Sequence, residues 1–174
     1  MARILLNCSY DPPLKEFDTT LHPCFVARSI TWVRSFFAVD GTRSICEFDA
    51  AYADLVRDAC RQAEISFDLV WRAELWQNQE AITSSGCQTP ILSEVDCGTP
   101  LTTEQWDTAK EAARPCFQQH NIQQLGSFIS LDGQRSLCVF NAASTEIVRQ
   151  AHRKTNVPFV RIWRSRLILP PSST

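Results

Sequence analysis

Trp32-Val33-Arg34-Ser35-Phe36-Phe37-Ala38-Val39-Asp40-Gly41-Thr42-Arg43-Ser44-Ile45-Cys46-Glu47-Phe48-Asp49-Ala50 reads as two strands joined at Asp-Gly. That dipeptide is the strongest short-range hairpin signal, because both central residues of the tightest hairpin turn need φ > 0. Ser127-Phe128 through Leu131-Asp132-Gly133-Gln134-Arg135-Ser136-Leu137-Cys138 repeats the pattern. A two-residue turn places Ser35 opposite Cys46, Arg34 opposite Glu47 and Val33 opposite Phe48. In the second copy Ser127 then faces Cys138, and Gly126 faces Val139.

The echo extends well beyond the hairpin, and repeats govern the reading of a fold. Pro23 to Trp76 aligns on Pro115 to Ile168 without a gap, matching Phe25 to Phe117, Cys46 to Cys138, Val56 to Val148 and Trp71 to Trp163. Upstream, Pro13-Leu14 matches Pro100-Leu101 at a shorter offset, so the second copy carries the longer first helix. There Thr102 and Gln105 form a capping box before Trp106, Ala109, Ala112 and Ala113. Leu14 to Arg28 is the weaker counterpart. Pro23 and Pro115 are expected to kink or restart these helices. Asp49 and Asn141 are the expected N-caps of the second helices. The final strands run from Phe67 to Leu75, with Trp76 facing the opposite side, and from Phe159 to Leu167.

Each copy therefore reads β-α-β-β-α-β, a ferredoxin-like unit. The expected fold is α+β, with two such repeats packed sheet-to-sheet as an intrachain dimeric α+β barrel. Trp32, Phe36 and Ile45, and Phe128, Leu137 and Val139, are expected on the paired faces. The expected organisation is repeat 1 over 1–77, a polar linker over 78–90, repeat 2 over 91–169 and a loose tail over 170–174.

The net charge of −2 with interspersed signs gives no basic stripe, which argues against nucleic acid. The apolar run Ile4-Leu5-Leu6 is too short for an export signal or a membrane span, so a cytoplasmic location is expected. The eight cysteines contain no C-x-x-C pair and are expected to be reduced.

No nucleophile elbow or glycine-rich phosphate loop is present; the chain has five glycines. Cys46 and Cys138, each opposite a serine, are the thiol candidates, against the reading that they are inert buried thiols. Arg43, Arg135, Arg72 and Arg164 recur between copies and are candidates for an anionic ligand. Glu94 and Asp96 share a strand face and, with His152, form a candidate metal set. Their counterparts in the first copy are Asn7, Ser9 and Cys60. Arg34-Glu47 reads as a cross-strand charge pair of about 0.2–1 kcal/mol, replaced at both ends in the second copy.

The run from Trp32 to Ala50, with Leu55-Val56-Arg57 and Val148-Arg149-Gln150-Ala151-His152, resembles a family of small bacterial domains of unknown function. Its characterised relative is a nickel-binding ferredoxin-like protein that dimerises through its sheets. The resemblance implies nickel or another divalent metal, with Glu94 as the first-strand ligand and His152 as the second-helix ligand. It also implies that the tandem is a fused dimer. The leading expectation is a non-enzymatic protein that binds a divalent metal. An enzyme or small-molecule binder using a cavity between the sheets is the second reading, and a protein–protein interaction module the third. The chain is expected to be a monomeric pseudo-dimer or to form a further homodimer.

Overall fold

The computed structural model describes residues 2–75 and 79–171. Among them are eight strands, paired antiparallel, and five helices, an α+β fold. The chain divides into two compact units, Met1–Ala73 with Arg166–Thr174, and Glu74–Ser165. The face of Trp76, the boundary at Gln77 and the end of the tail lie outside the described residues.

The first unit contains β1 (Ala2–Ser9), α1 (Pro23–Val26), β2 (Thr31–Ala38), β3 (Arg43–Ala50), α2 (Ala53–Gln62) and β4 (Leu69–Leu75) as far as Ala73. Its strands lie in the order β4-β1-β3-β2. One sheet face, with Ile4, Leu6, Phe48 and Val70, packs on Val56, Ala59 and Cys60 of α2. Those three residues fall at helical spacing, which builds a single apolar stripe.

The second unit contains α3 (Gln79–Ser84), β5 (Ile91–Asp96), α4 (Thr103–Gln119), β6 (Gln123–Ser130), β7 (Arg135–Asn141), α5 (Thr145–Lys154) and β8 (Arg161–Ile168) as far as Ser165. Its order is β8-β5-β7-β6. Ile91, Phe140 and Ile162 pack on Val148 and Ala151 of α5. Small details recur at matching positions. Arg57 donates to the Val70 carbonyl at 2.7 Å, and Arg149 to that of Ile162 at 3.0 Å. Glu64 and Asn156 both take a left-handed conformation after their helices, φ 54° and 55°.

The hairpin register agrees with the sequence at Arg34/Glu47 and Ser35/Cys46, and at Gly126/Val139 and Ser127/Cys138. Beyond those pairs it shifts. A β-bulge inserts Val33 and, in the second unit, Leu125, so Trp32 rather than Val33 lies opposite Phe48. Trp32 therefore joins the helix-facing core, not the opposite face. The turn differs too. Only Gly41 and Gly133 have positive φ, 74° and 69°, and each amide returns to the carbonyl three residues earlier. Gly sits at the last position of a type I turn, so neither Asp40 nor Asp132 needs φ > 0.

The backbone of Leu14 crosses the first turn and that of Leu101 the second, each amide bonding the glycine carbonyl at 3.0 Å. A Cβ on Gly133 would stand 2.4 Å from the Leu101 carbonyl oxygen, and one on Gly41 2.1 Å from that of Leu14. Gly133→Ala is expected to cost about 1–3 kcal/mol in urea unfolding, through strain at positive φ and backbone displacement. An unchanged midpoint would show that the Leu101 strap yields freely.

Several helix boundaries also differ. Leu14 to Leu21 forms no helix: Asp18 captures the Thr20 amide, and short polar side chains of this kind compete with helical bonding. Pro23 opens the four-residue α1, while Pro115 lies inside α4, which continues to Gln119. The second helices are capped by Tyr52 and Ser144, because Asp49 and Asn141 remain in their strands. The stretch read as linker contains α3, whose Ile82 is fully buried and packs where a Gly126 Cβ would stand.

Candidate functional site

Each unit holds a cavity between its hairpin and the crossover from first to second strand. In the first unit it measures about 430 Å³, with Ser35 and Cys46 on one wall and Phe17, Leu21 and Pro23 on the other. In the second it measures about 350 Å³, with Ser127 and Cys138 facing Trp106, Ala109 and Ala113 of α4. On the hairpin wall of each cavity the side chains are a serine and a cysteine, which leave room beneath the crossover. Volumes in this range suit small ligands when the walls are apolar and a few polar groups converge.

The serines have a local role. The bulge turns Trp32 so that its Nε1 donates to Ser35 Oγ at 2.9 Å. At the matching place Gln124 Nε2 donates to Ser127 Oγ at 2.5 Å, and that hydroxyl lies 3.6 Å from Cys138 Sγ. Burial pushes the Cys46 thiol up to about 11, although the Ser35 and Ser44 hydroxyls pull it back. Burial also raises Cys138, and pushes Cys60 up to about 11 and Cys8 to about 12. The thiol rather than the thiolate is held at neutral pH, the wrong state for a nucleophile. Alkylation of the folded protein at pH 8 is expected to label Cys46 more than ~100-fold slower than an unperturbed thiol. Peptide mapping that finds Cys46 modified as fast as the half-buried Cys24 would contradict this.

The candidate metal set does not converge. His152 is buried on the helix side, where its Nε2 lies 2.8 Å from Ser93 Oγ. Successive strand residues point to opposite faces, so Glu94 and Asp96 project from the other side of β5. Glu94 Oε1 accepts from Trp163 Nε1 at 2.7 Å. In the first unit Asn7 does the same for Trp71 at 3.1 Å, which marks the position as an indole anchor. Asp96 accepts from the Gly98 amide and lies 3.6 Å from Arg135. No group of three or more His, Cys, Asp or Glu residues suited to a metal forms among the described residues. The residues do not fit the metal that the sequence resemblance implies.

The arginines do not meet either. Arg43 lies opposite Ser9, on the sheet face away from the helices, whereas Arg72 pairs with Ile4 on the helix-facing side. Arg135 and Arg164 are split in the same way. Arg164 spends its guanidinium on the carbonyls of Thr89 and Ala143, at 3.1 and 2.9 Å. Sequence reading missed Ser93, Lys110 and the cavities themselves. The Ser–Cys pair repeated on the hairpins, met in the second unit by Ala109 and Ala113, was the available signal.

With this geometry in view, comparison with known proteins adds one sequence match. Residues 92–164 match the family described as nickel responsive protein SCO4226-like. The matched segment runs from β5 into β8 and contains both Glu94 and His152. No curated protein matches the chain. Among solved structures, the chain is similar to the provisionally named chlorite dismutase TA0507, at 8% identity and a TM-score of 0.48, covering 97% of this chain and 95% of that one. A provisionally named monooxygenase of Lactobacillus acidophilus NCFM gives 9% and 0.42, covering 97% and 93%. Another from Fusobacterium nucleatum, FN1347, gives 11% and 0.40, covering 98% and 93%. At these scores the likenesses carry no argument. No helix among the described residues is long and apolar enough to cross a membrane.

Proposed function

We propose that this chain is a small-molecule-binding protein whose two ferredoxin-like units each hold an apolar ligand beneath the crossover. The observation that carries the reading is the recurrence of the cavity at matching places, with a Ser–Cys pair on the wall of each. Duplication of one ancestral unit, pairing of the two apolar sheet faces within the chain, and a reducing cytoplasmic setting for the eight free thiols are parts of the same proposal. Thiols held protonated by burial accord with binding rather than with a cysteine nucleophile.

Titration with the neutral dye Nile red tests it. Saturable blue-shifted emission with two sites per chain is expected. Ser127→Phe, which fills one cavity, is expected to leave one site, with far-UV circular dichroism confirming the fold. Absence of saturable binding would overturn the reading.

A second reading, binding of nickel or another divalent metal, is favoured by the family match over residues 92–164. Calorimetric titration with nickel distinguishes it. A single stoichiometric site lost on both Glu94→Asn and His152→Cys would establish it. The expected result is that neither substitution changes nickel uptake, because the two side chains lie on opposite faces of β5.

A further inference from the structure

We propose that the cavity of the second unit takes an apolar, ring-bearing monocarboxylic acid, its carboxylate on the Lys110 ammonium and its ring among Trp106, Phe117 and Phe140. The proposal rests on the ligand-cavity reading and names the ligand class for one of the two sites. Four observations lead to it. Among the described residues, no aspartate or glutamate lines this cavity, and Lys110 is the one lining side chain that carries a full charge at neutral pH. Lys110 is half-buried and has no ion-pair partner among the described residues. Lys110 on α4 and Cys138 on β7 border the same cavity, so the lysine side chain stands beside the space a ligand would fill. The remaining polar groups are neutral: Ser127, Gln124 and Ser136, with His152 depressed to about 4 by burial.

An ammonium beside an apolar cavity has lost part of its water without gaining a counter-ion. A carboxylate entering there supplies a charge-assisted hydrogen bond at a dielectric below that of water. The aromatic walls favour a flat ring over an alkyl chain, since offset and edge-on ring contacts add to simple burial. The first unit provides an internal contrast. Its cavity is bordered by Asp18 and, among the described residues, by no lysine or arginine, so it offers the carboxylate no counter-charge.

Calorimetry with 2-naphthoic acid and its neutral isostere 2-naphthamide on the full chain tests the proposal. One acid per chain is expected. Lys110→Met is expected to weaken acid binding roughly tenfold or more, the value of a hydrogen bond to a charged group, and Lys110→Arg to restore it. Amide binding is expected to be the same in all three proteins. Equal acid affinity in the parent protein and Lys110→Met overturns the proposal and leaves the ligand-cavity reading standing, provided that the amide or Nile red binds. Failure of all three compounds overturns both.

Discussion

Replacing Glu47 by glutamine is expected to destabilise the first unit by about 3–5 kcal/mol, the cost of breaking a buried ion pair by removing one member. Glu47 is fully buried. Arg34 Nε lies 2.7 Å from one carboxylate oxygen, and Arg3 Nε lies 3.5 Å from the other. Arg3 also reaches Asp49 at 3.8 Å. Burial raises the Glu47 carboxyl above its usual range, and the two guanidinium groups oppose that rise. The amide would keep the shape but remove the carboxylate charge that both arginines approach. Equilibrium urea unfolding measures the effect. A loss under about 1 kcal/mol, the value of an exposed pair, would show that solvent already screens the cluster.

Removing both ends is expected to cost less than removing one. Arg34→Leu with Glu47→Val deletes the desolvated charges together, and apolar replacements of buried pairs are often neutral. The second unit already has an apolar version. Gly126 and Val139 stand at the matching register positions, and Ile82 of α3 fills the volume above the glycine. The two units thus satisfy one position in different ways, one with ions and the other with a side chain lent by a preceding helix.

That contrast shows what the sequence made legible. The internal repeat and the Asp-Gly turns fixed the strand order and the central hairpin register, because turn position and period-2 alternation act locally. Arg34-Glu47 was visible as a pair, yet its burial was not, since exposure depends on packing far from the hairpin. The bulges at Val33 and Leu125 left no composition signal: one extra residue keeps the strand apolar while moving Trp32 to the other face. Helix α3 was missed for a related reason. A six-residue helix presents too few positions to show periodicity, and Ile82 was its only strongly apolar side chain. The candidate metal site failed on geometry the resemblance did not carry, since Glu94 and His152 match by position but project to opposite sides of β5. The cavities were missed because Ser, Cys and Ala read as good packing residues whether or not the facing layer closes on them.

His152 should make the second unit progressively less stable as pH falls from about 6.5 to about 4. Its ring is packed among Phe117, Phe140 and Phe159, with centroids 5.7–6.1 Å away, and among the described residues its one side-chain polar neighbour in hydrogen-bond range is Ser93. Burial alone depresses its pKa from the ordinary 6.5 to about 4. The folded value lies below the unfolded one, so the unfolded chain takes up the proton first. Full stability is therefore present above pH 6.5 and is lost as pH drops through the folded value. The difference corresponds to about 3 kcal/mol at the acid end. Carboxylates titrate over part of the same range, so the decisive measurement is a comparison. The first unit has Leu6 and Cys60 where the second has Ser93 and His152, and both are buried. Transplanting that pair, as Ser93→Leu with His152→Cys, is expected to remove about 3 kcal/mol of the acid-dependent loss and leave the carboxylate contribution in place. His152→Cys alone isolates a buried serine hydroxyl and is expected to cost about 1–3 kcal/mol at pH 7. If the double variant followed the parent protein's stability curve between pH 7 and pH 4, the imidazole would have to be protonated without unfolding. Its aromatic surroundings would then have to open to admit water.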